Sequence, residues 1–386
     1  MDQSMMQDLP TSRRKKPLRR IFVALVACVL GSVFIPACGV GYVVKSGWYQ
    51  MEMLAKREPI QEVLLSDRIG ADAAAQLSLV PGIKAFGERV GLAQTDSYES
   101  ISLDWKRTIY NVSACSPVAF EPETWWFPIV GQVPYLGYFR QQDADRRAQK
   151  LSRKGLDVWV RTAGAYSTLG WFKDPVLPGM LEWSEADLAE TLLHEIAHAT
   201  LWVKGSVRFN ESYANVIGKL AGDAYMNEKY GIDSPQVQDM LAEREDLYLW
   251  RALLHDLYKK LDAVYQDPDL DESAKAVQKA KLLASLPAEA TATPFANPER
   301  FVRAASNGTW NNARLLQFKT YNAHQEAFDA LLAKCSQQLG GPAATADSKI
   351  SCFIEEIRGL TDGRRDPYVA LYEHLNWPVP KDVKEF

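Results

Sequence analysis

Histidine is scarce in this chain. Five of the 386 residues are histidine, so a site built on imidazoles has few places to be. An excess of one charge is also lacking. Forty-four Lys and Arg stand against 48 Asp and Glu, which excludes the strongly basic surface that general nucleic-acid binding needs. No internal repeat is evident. Cysteine is limited to five residues. Cys335 and Cys352 flank a Gly-Gly-Pro-Ala-Ala loop between two helical runs, so they can pair or stay free, and sequence cannot decide which. Cys115 then has no partner and reads as a small buried hydrophobe. What the chain does have is 47% hydrophobic and 11% aromatic residues. That is ample for one large or two moderate packed domains.

Two of the five histidines fall together in Thr191-Leu-Leu-His194-Glu195-Ile-Ala-His198-Ala-Thr200. This is an H-E-x-x-H sequence with apolar flanks at Leu192, Leu193, Ile196 and Ala197. On a helix His194 and His198 stand one turn apart on one face. Two imidazoles so placed can bind a Zn²⁺ ion, and Glu195 beside the first can act as general base on a water. Ser184 with Asp187 reads as a relaxed capping box opening this helix. The bland alternative is a chance motif on a solvated helix face.

A catalytic zinc usually has three protein ligands. Glu211, in Phe209-Asn210-Glu211-Ser212-Tyr213-Ala214, is 13 positions past His198. Gly205 is placed to end the first helix, and Asn210 is a good N-cap for a second. Two antiparallel helices with a short connection then aim His194, His198 and Glu211 at one ion. No fourth His or Cys lies near, which speaks against a closed structural zinc site.

The N-terminus is a separate object. Arg13-Arg-Lys-Lys16 and Arg19-Arg20 precede an uncharged run from Ile21 that ends at Ile35-Pro36-Ala37-Cys38-Gly39. That pattern fits a signal peptide over 1–37. The break resembles a bacterial lipobox with Cys38 as the lipidated residue. An uncleaved signal anchor is the other open reading, since the uncharged stretch extends to Val44 and is long enough to span a bilayer. Past residue 37 the chain carries 38 basic and 46 acidic residues, an acidic body with no basic patch for anionic lipid.

Periodicity places helices over residues 45–95, strands between about 101 and 138, a polar helix over 141–154 and a strand at Leu156–Val160. Helices follow the motif: 210–230, 234–267, 272–286, 312–339 and 350–360. The class is α+β. We divide the chain into the signal peptide at 1–37, a helical segment at 38–100, a mixed lobe with the motif helix at 101–210 and a helical lobe at 211–386. This is expected to be one catalytic unit.

The H-E-x-x-H segment resembles the gluzincin peptidases. Asn210-Glu211-x-Tyr213-Ala214 resembles the Asn-Glu-x-aromatic-Ala segment of aminopeptidase N-like enzymes, which leave a longer stretch between the second His and the Glu. A fuller match is to a family of bacterial lipoproteins described as aminopeptidases. It rests on Cys38-Gly39, Arg57-Glu58-Pro59-Ile60, Phe127-Pro128, Gly137-Tyr138-Phe139, Tyr166-Ser-Thr-Leu-Gly-Trp-Phe172 and Asn311-Asn312-Ala313-Arg314-Leu315. It covers nearly the whole chain past the signal.

The resemblance implies a zincin-like fold with a small β-sheet lobe and a large helical lobe around a cleft. It implies a zinc-dependent peptidase with a peptide substrate, anchored in the bacterial envelope and facing the periplasm. A gluzincin also needs an oxyanion donor. Tyr321 is the candidate and His324 the weaker one, although a tyrosine packed at a helix interface is the simpler reading. Asn311 and Asn312 can simply cap a helix, and Tyr166–Phe172 can line the cleft as an edge strand. His255 and His374 read as structural or exposed. The Gly-x-Met-Glu-Asn segment that holds the substrate amine in aminopeptidase N-like enzymes is absent. A non-catalytic, zinc-containing peptide-binding lipoprotein is the alternative. The intact Glu195 argues against it, because a pure binder has no use for that carboxylate.

Overall fold

A computed structural model describes residues 40–127, 131–163, 173–321, 324–362, 366–380 and 383. The expected edge strand at Tyr166–Phe172 and the lipidation candidate Cys38 both lie outside the described residues. Compactness divides the chain into Met1–Gln50 and Met51–Phe386. In the first unit the described residues belong to helix α1, Val40–Ala55. No described helix is long and apolar enough to cross a membrane.

The second unit is α+β and mostly helical. The element order after α1 is β1 (Glu58–Pro59), α2 (Ile60–Leu64), α3 (Ala71–Arg89), β2 (Ser100–Ile101), β3 (Ile109–Cys115), β4 (Trp125–Phe127), β5 (Gly131–Val133), β6 (Tyr135–Tyr138), α4 (Gln141–Ser152) and β7 (Asp157–Ala163). The helical part follows: α5 (Glu185–Thr200), α6 (Val207–Tyr230), α7 (Pro235–Gln266), α8 (Glu272–Ala292), α9 (Pro298–Ser306), α10 (Asn312–Tyr321), α11 (Gln325–Gln338), α12 (Ala346–Thr361) and α13 (Pro367–His374).

The largest sheet is antiparallel with strand order β6-β3-β7. β3 is central and pairs Val112 with Leu136 on one side and with Val160 on the other. β1–β2 and β4–β5 form separate two-stranded sheets. Helices α4 and α10 both pack on β3 and β7. At the start of the stretch read as strands from about 101, only Ser100–Ile101 forms one. Trp105 N–H instead turns back to the Ser102 carbonyl at 2.9 Å.

The helical half holds a second core. Along α7, Trp250, Leu254, Leu257, Leu261 and Tyr265 are buried. Their spacing of three and four residues keeps one apolar stripe along the helix. It meets Phe295, Phe301 and Trp310. The expected single helix at 312–339 is two helices. His324 sits between them at φ 54°, a left-handed conformation that a continuing helix cannot contain. Two short helices, α9 and α13, escape a periodicity argument but carry start signals. Pro298 and Pro367 each stand in the first turn, and Asp366 accepts the N–H groups of Tyr368 and Val369. Cys335 and Cys352 are disulfide-bonded and tie α11 to α12. Cys115 is free and buried, and burial pushes its thiol pKa to about 12.

One polar cluster couples the sheet to the helices. Asp157, at the start of β7, pairs with Lys279 of α8 at 2.5 Å and accepts the N–H of Asn312 at 2.8 Å. The Asn312 side chain accepts the Tyr265 hydroxyl at 2.8 Å and donates to the carbonyls of Ser116 and Pro117. Asn311 caps α10, its Oδ1 accepting from Arg314 N–H at 3.0 Å, and donates to Val158 at 2.9 Å. Thus Asn311 is a helix cap, while Asn312 is a buried connector between the sheet and the helices. Asn312→Ala leaves the Tyr265 hydroxyl and buried carbonyls without partners. It is expected to cost about 3 kcal/mol in urea unfolding; a loss below about 1 kcal/mol would show that the cluster is dispensable.

Candidate metal centre

α5 forms where its sequence asks for it. Ser184 is the N-cap: its Oγ accepts Asp187 N–H at 3.1 Å and its hydroxyl donates to the Asp187 carboxylate at 2.8 Å. The reciprocal half of the capping box thus goes to a side chain rather than to the backbone. Leu188, Ala189, Leu192, Leu193, Ile196 and Ala197 are buried. The helix ends at Thr200, with Leu201 extended. Gly205, expected to end it, instead sits in the connection at φ 82° and lies against the strand residue Gly131.

Asn210, expected to cap the second helix, lies inside α6, whose N-cap position is Ser206. Its side chain reaches back to the connection, accepting Val203 N–H at 2.8 Å and donating to the Val203 carbonyl at 2.7 Å. Both of its polar ends are used to fasten the loop between the motif helix and α6. Glu211 follows on a helix whose residues 207–214 are all buried.

The two helices meet at unusually small residues. A Cβ on Gly218 would lie 2.8 Å from the Glu190 carbonyl and 2.9 Å from His194 Cβ. Gly222, four residues on, faces Glu190 backbone at 3.3 Å by the same measure. The backbones therefore approach closely behind the first histidine, and only glycine fits there. Two glycines four apart on a helix were a readable signal of close packing.

His194, His198 and Glu211 come together. The two Nε2 atoms are 3.1 Å apart, and Glu211 Oε2 is 3.6 Å from that of His194 and 3.8 Å from that of His198. Zinc ligands at about 2.0–2.1 Å in a tetrahedron are roughly 3.3 Å from one another. The observed separations bracket that edge, so the three atoms fit one small cation. Among the described residues no other trio of His, Cys, Asp or Glu gathers this way. All three are largely buried. Burial opposes the charge on Glu211, but the two imidazoles outweigh it and hold its carboxyl well below the usual carboxylate range. Burial likewise disfavours protonated His194, yet Glu211, Glu195 and Glu190 together raise its pKa. Acceptors with a strong demand for positive charge in a closed space are the chemistry of a cation site.

Glu195 is half-buried beside the trio. His198 packs edge-on against Trp202 at 5.5 Å between ring centres. The His198 Nδ1 and the Trp202 Nε1 are buried without a hydrogen-bond partner. At the far end of α5, Glu185 accepts from the Tyr225 hydroxyl at 3.1 Å, Lys229 at 2.6 Å and the Tyr230 hydroxyl at 2.5 Å. Behind His194, Arg244 of α7 bridges Glu190 and Asp223, at 2.6 and 2.5 Å.

The other candidate residues fare differently. Tyr321 closes α10, but its side chain lies outside the described residues. His324 is held at both nitrogens: Nδ1 is 2.9 Å from the Tyr372 hydroxyl and Nε2 is 3.4 Å from Arg208 of α6. Since the Tyr372 hydroxyl donates to Glu326 at 2.8 Å, it accepts from Nδ1–H, and Nε2 accepts from the guanidinium. That makes His324 a structural link here. His255 is exposed and stacks on Tyr258, and His374 contacts Lys334 and Glu356.

A family model described as "Putative aminopeptidase" matches residues 41–366. The chain belongs to that family. The match runs from α1 through the Asp157–Lys279–Asn312 cluster and both helices of the metal-capable trio. Family membership suggests peptidase activity. No curated protein matches the chain, and no solved structure does.

Gly218→Ala is expected to push α6 away from His194. Overpacking of this kind costs about 1–3 kcal/mol, and metal affinity measured by chelator competition should fall with it. Unchanged affinity and melting temperature would show that the close approach does not set the trio.

Proposed function

We propose that this protein is a zinc-dependent peptidase of the gluzincin type, with His194, His198 and Glu211 as the metal ligands and Glu195 as the general base. The observation that carries this reading is the convergence of three buried donor atoms at the spacing of a tetrahedral ion, next to an uncommitted carboxylate. When bound there, zinc supplies polarisation of a peptide carbonyl and acidifies a water. The chain's own residues do the rest. Glu195 takes the water's proton and hands it to the departing amine. With zinc bound, the His₂Glu set would leave the ion and its ligands at a net charge of +1, which the Glu195 carboxylate faces. The buried flank of α5 and α6 excludes bulk water from one side of the reacting atoms, which strengthens each electrostatic contact. The substrate class is a peptide; the family description carries the further reading of cleavage at an N-terminus. Tyr321 is proposed as the oxyanion donor from the helical lobe.

One zinc per chain is expected. Glu211→Ala should lose it, whereas Glu195→Gln should keep it and lose turnover by roughly 10²–10⁴. The assay is metal analysis together with a peptide-library digest read by mass spectrometry. Full zinc with no cleavage by the wild type would favour the peptide-binding alternative. A Glu195→Gln variant as fast as wild type would place the chemistry elsewhere.

We also propose that the protein is anchored at Cys38 in the bacterial envelope, with the body facing the periplasm. The support is the basic, uncharged and Ala-Cys-Gly succession at its N-terminus. Cys38→Ser should release the protein or leave an unprocessed precursor on fractionation. If both forms partition alike and keep residues 1–37, the chain is an uncleaved signal anchor instead.

A further inference from the structure

Tyr98 is a strained residue with an idle donor. It lies at φ 61°, in the left-handed region where a bulky side chain is an outlier and where strain gathers at functional sites. The surroundings enforce that conformation. Tyr98 N–H donates to the Asp174 carbonyl at 2.6 Å. The preceding Ser97 accepts Asp174 N–H at its Oγ, at 3.1 Å, and donates its own N–H to Thr95 Oγ1, also at 3.1 Å. Upstream, Ala93 N–H donates to Thr200 Oγ1 at 2.9 Å, in the last turn of the motif helix. The segment 93–98 is thereby stitched to the element that carries Glu195.

The side chain is 2% exposed, and its hydroxyl is buried with no hydrogen-bond partner. A buried orphan donor in a strained residue calls for a reason. The tie of its segment to the last turn of the motif helix supplies one, and the electrostatics agree. Burial, Glu195 and Asp174, in that order, raise the phenol pKa well above its ordinary value, so the hydroxyl stays a donor with carboxylates nearby. Glu195 makes no hydrogen bond or ion pair among the described residues, and it is half-exposed.

We propose that Tyr98 is a positioning residue of the hydrolytic centre: its hydroxyl donates to the Glu195 carboxylate once the neighbouring trio holds its metal, and so fixes the base beside the reacting water. This rests on the peptidase reading given above. It adds a residue from the segment before β2, outside both metal helices. It also accounts for the strain, since a tyrosine is kept where asparagine or glycine would be conformationally cheaper.

The test is Tyr98→Phe in the full-length protein. The ring and backbone stay, and only the idle hydroxyl goes. Zinc content should not change, and the melting temperature should hold or rise, because a buried unpartnered group has been removed. Turnover should drop roughly ten- to hundredfold with KM within about twofold, as for loss of one hydrogen bond to a charged group. A second readout needs no substrate. Zinc titration of the wild type should red-shift part of the tyrosine near-ultraviolet absorption as the phenol begins to donate to a carboxylate. That shift should be absent in Tyr98→Phe and in Glu195→Ala. A shift that survives in Glu195→Ala overturns the proposal, as does undiminished turnover in Tyr98→Phe. A melting temperature that falls together with turnover assigns Tyr98 a merely structural role. If the wild type cleaves no peptide, the peptidase reading fails, and the spectral titration alone decides the Tyr98–Glu195 contact.

Discussion

The close approach of α5 and α6 is the constraint on which the site depends. An imidazole and a carboxylate reach only a few ångströms from their own backbones. For donors on two helices to converge within 3.6–3.8 Å, the helix axes must come unusually near. Gly218 and Gly222 allow this by removing two side chains that would otherwise occupy the gap. The same closeness leaves the trio dry, and dryness is what makes its charge demand strong. Wider helix spacing would leave three solvated side chains and no site.

The rest of the unit can be read as support for that contact. α3 packs on α5, while α7, α10 and α12 surround α6. Arg244 offsets part of the negative charge of Glu190 and Asp223 behind His194, while Glu211, Glu195 and Glu190 all act on His194. The Asp157, Lys279 and Asn312 cluster keeps the sheet and the helical half in one arrangement. Each polar group there has a partner, as a buried network must if it is to fix one structure rather than loosen it.

Much of this was legible in the sequence, and the parts that were not share a cause. The motif helix and its Ser184 cap, the nearness of Glu211 to the two histidines and the α+β class follow from local spacing. Local spacing fails where a side chain answers to something distant. Asn210 looked like a cap because its type favours caps; in the fold it is committed to Val203. Residues 312–339 kept helical character throughout, yet His324 is turned left-handed by its contacts with Arg208 and Tyr372. Tyr98 gave no signal at all, because its conformation is imposed by Asp174, 76 positions away. The pairing of Cys335 with Cys352 was left open by spacing and is settled by the position of two helices.

The clasp on Glu185 has one more consequence. It joins the first turn of α5 to the last turns of α6, nine residues, or roughly 14 Å of helix, from His194. Sliding α5 past α6 by a single residue would turn each of its side chains about 100° around the axis and carry both imidazoles out of reach of Glu211. The clasp therefore works as a stop against axial slippage. The alignment of the trio is set from the opposite end of the helix pair, by a carboxylate that never touches it.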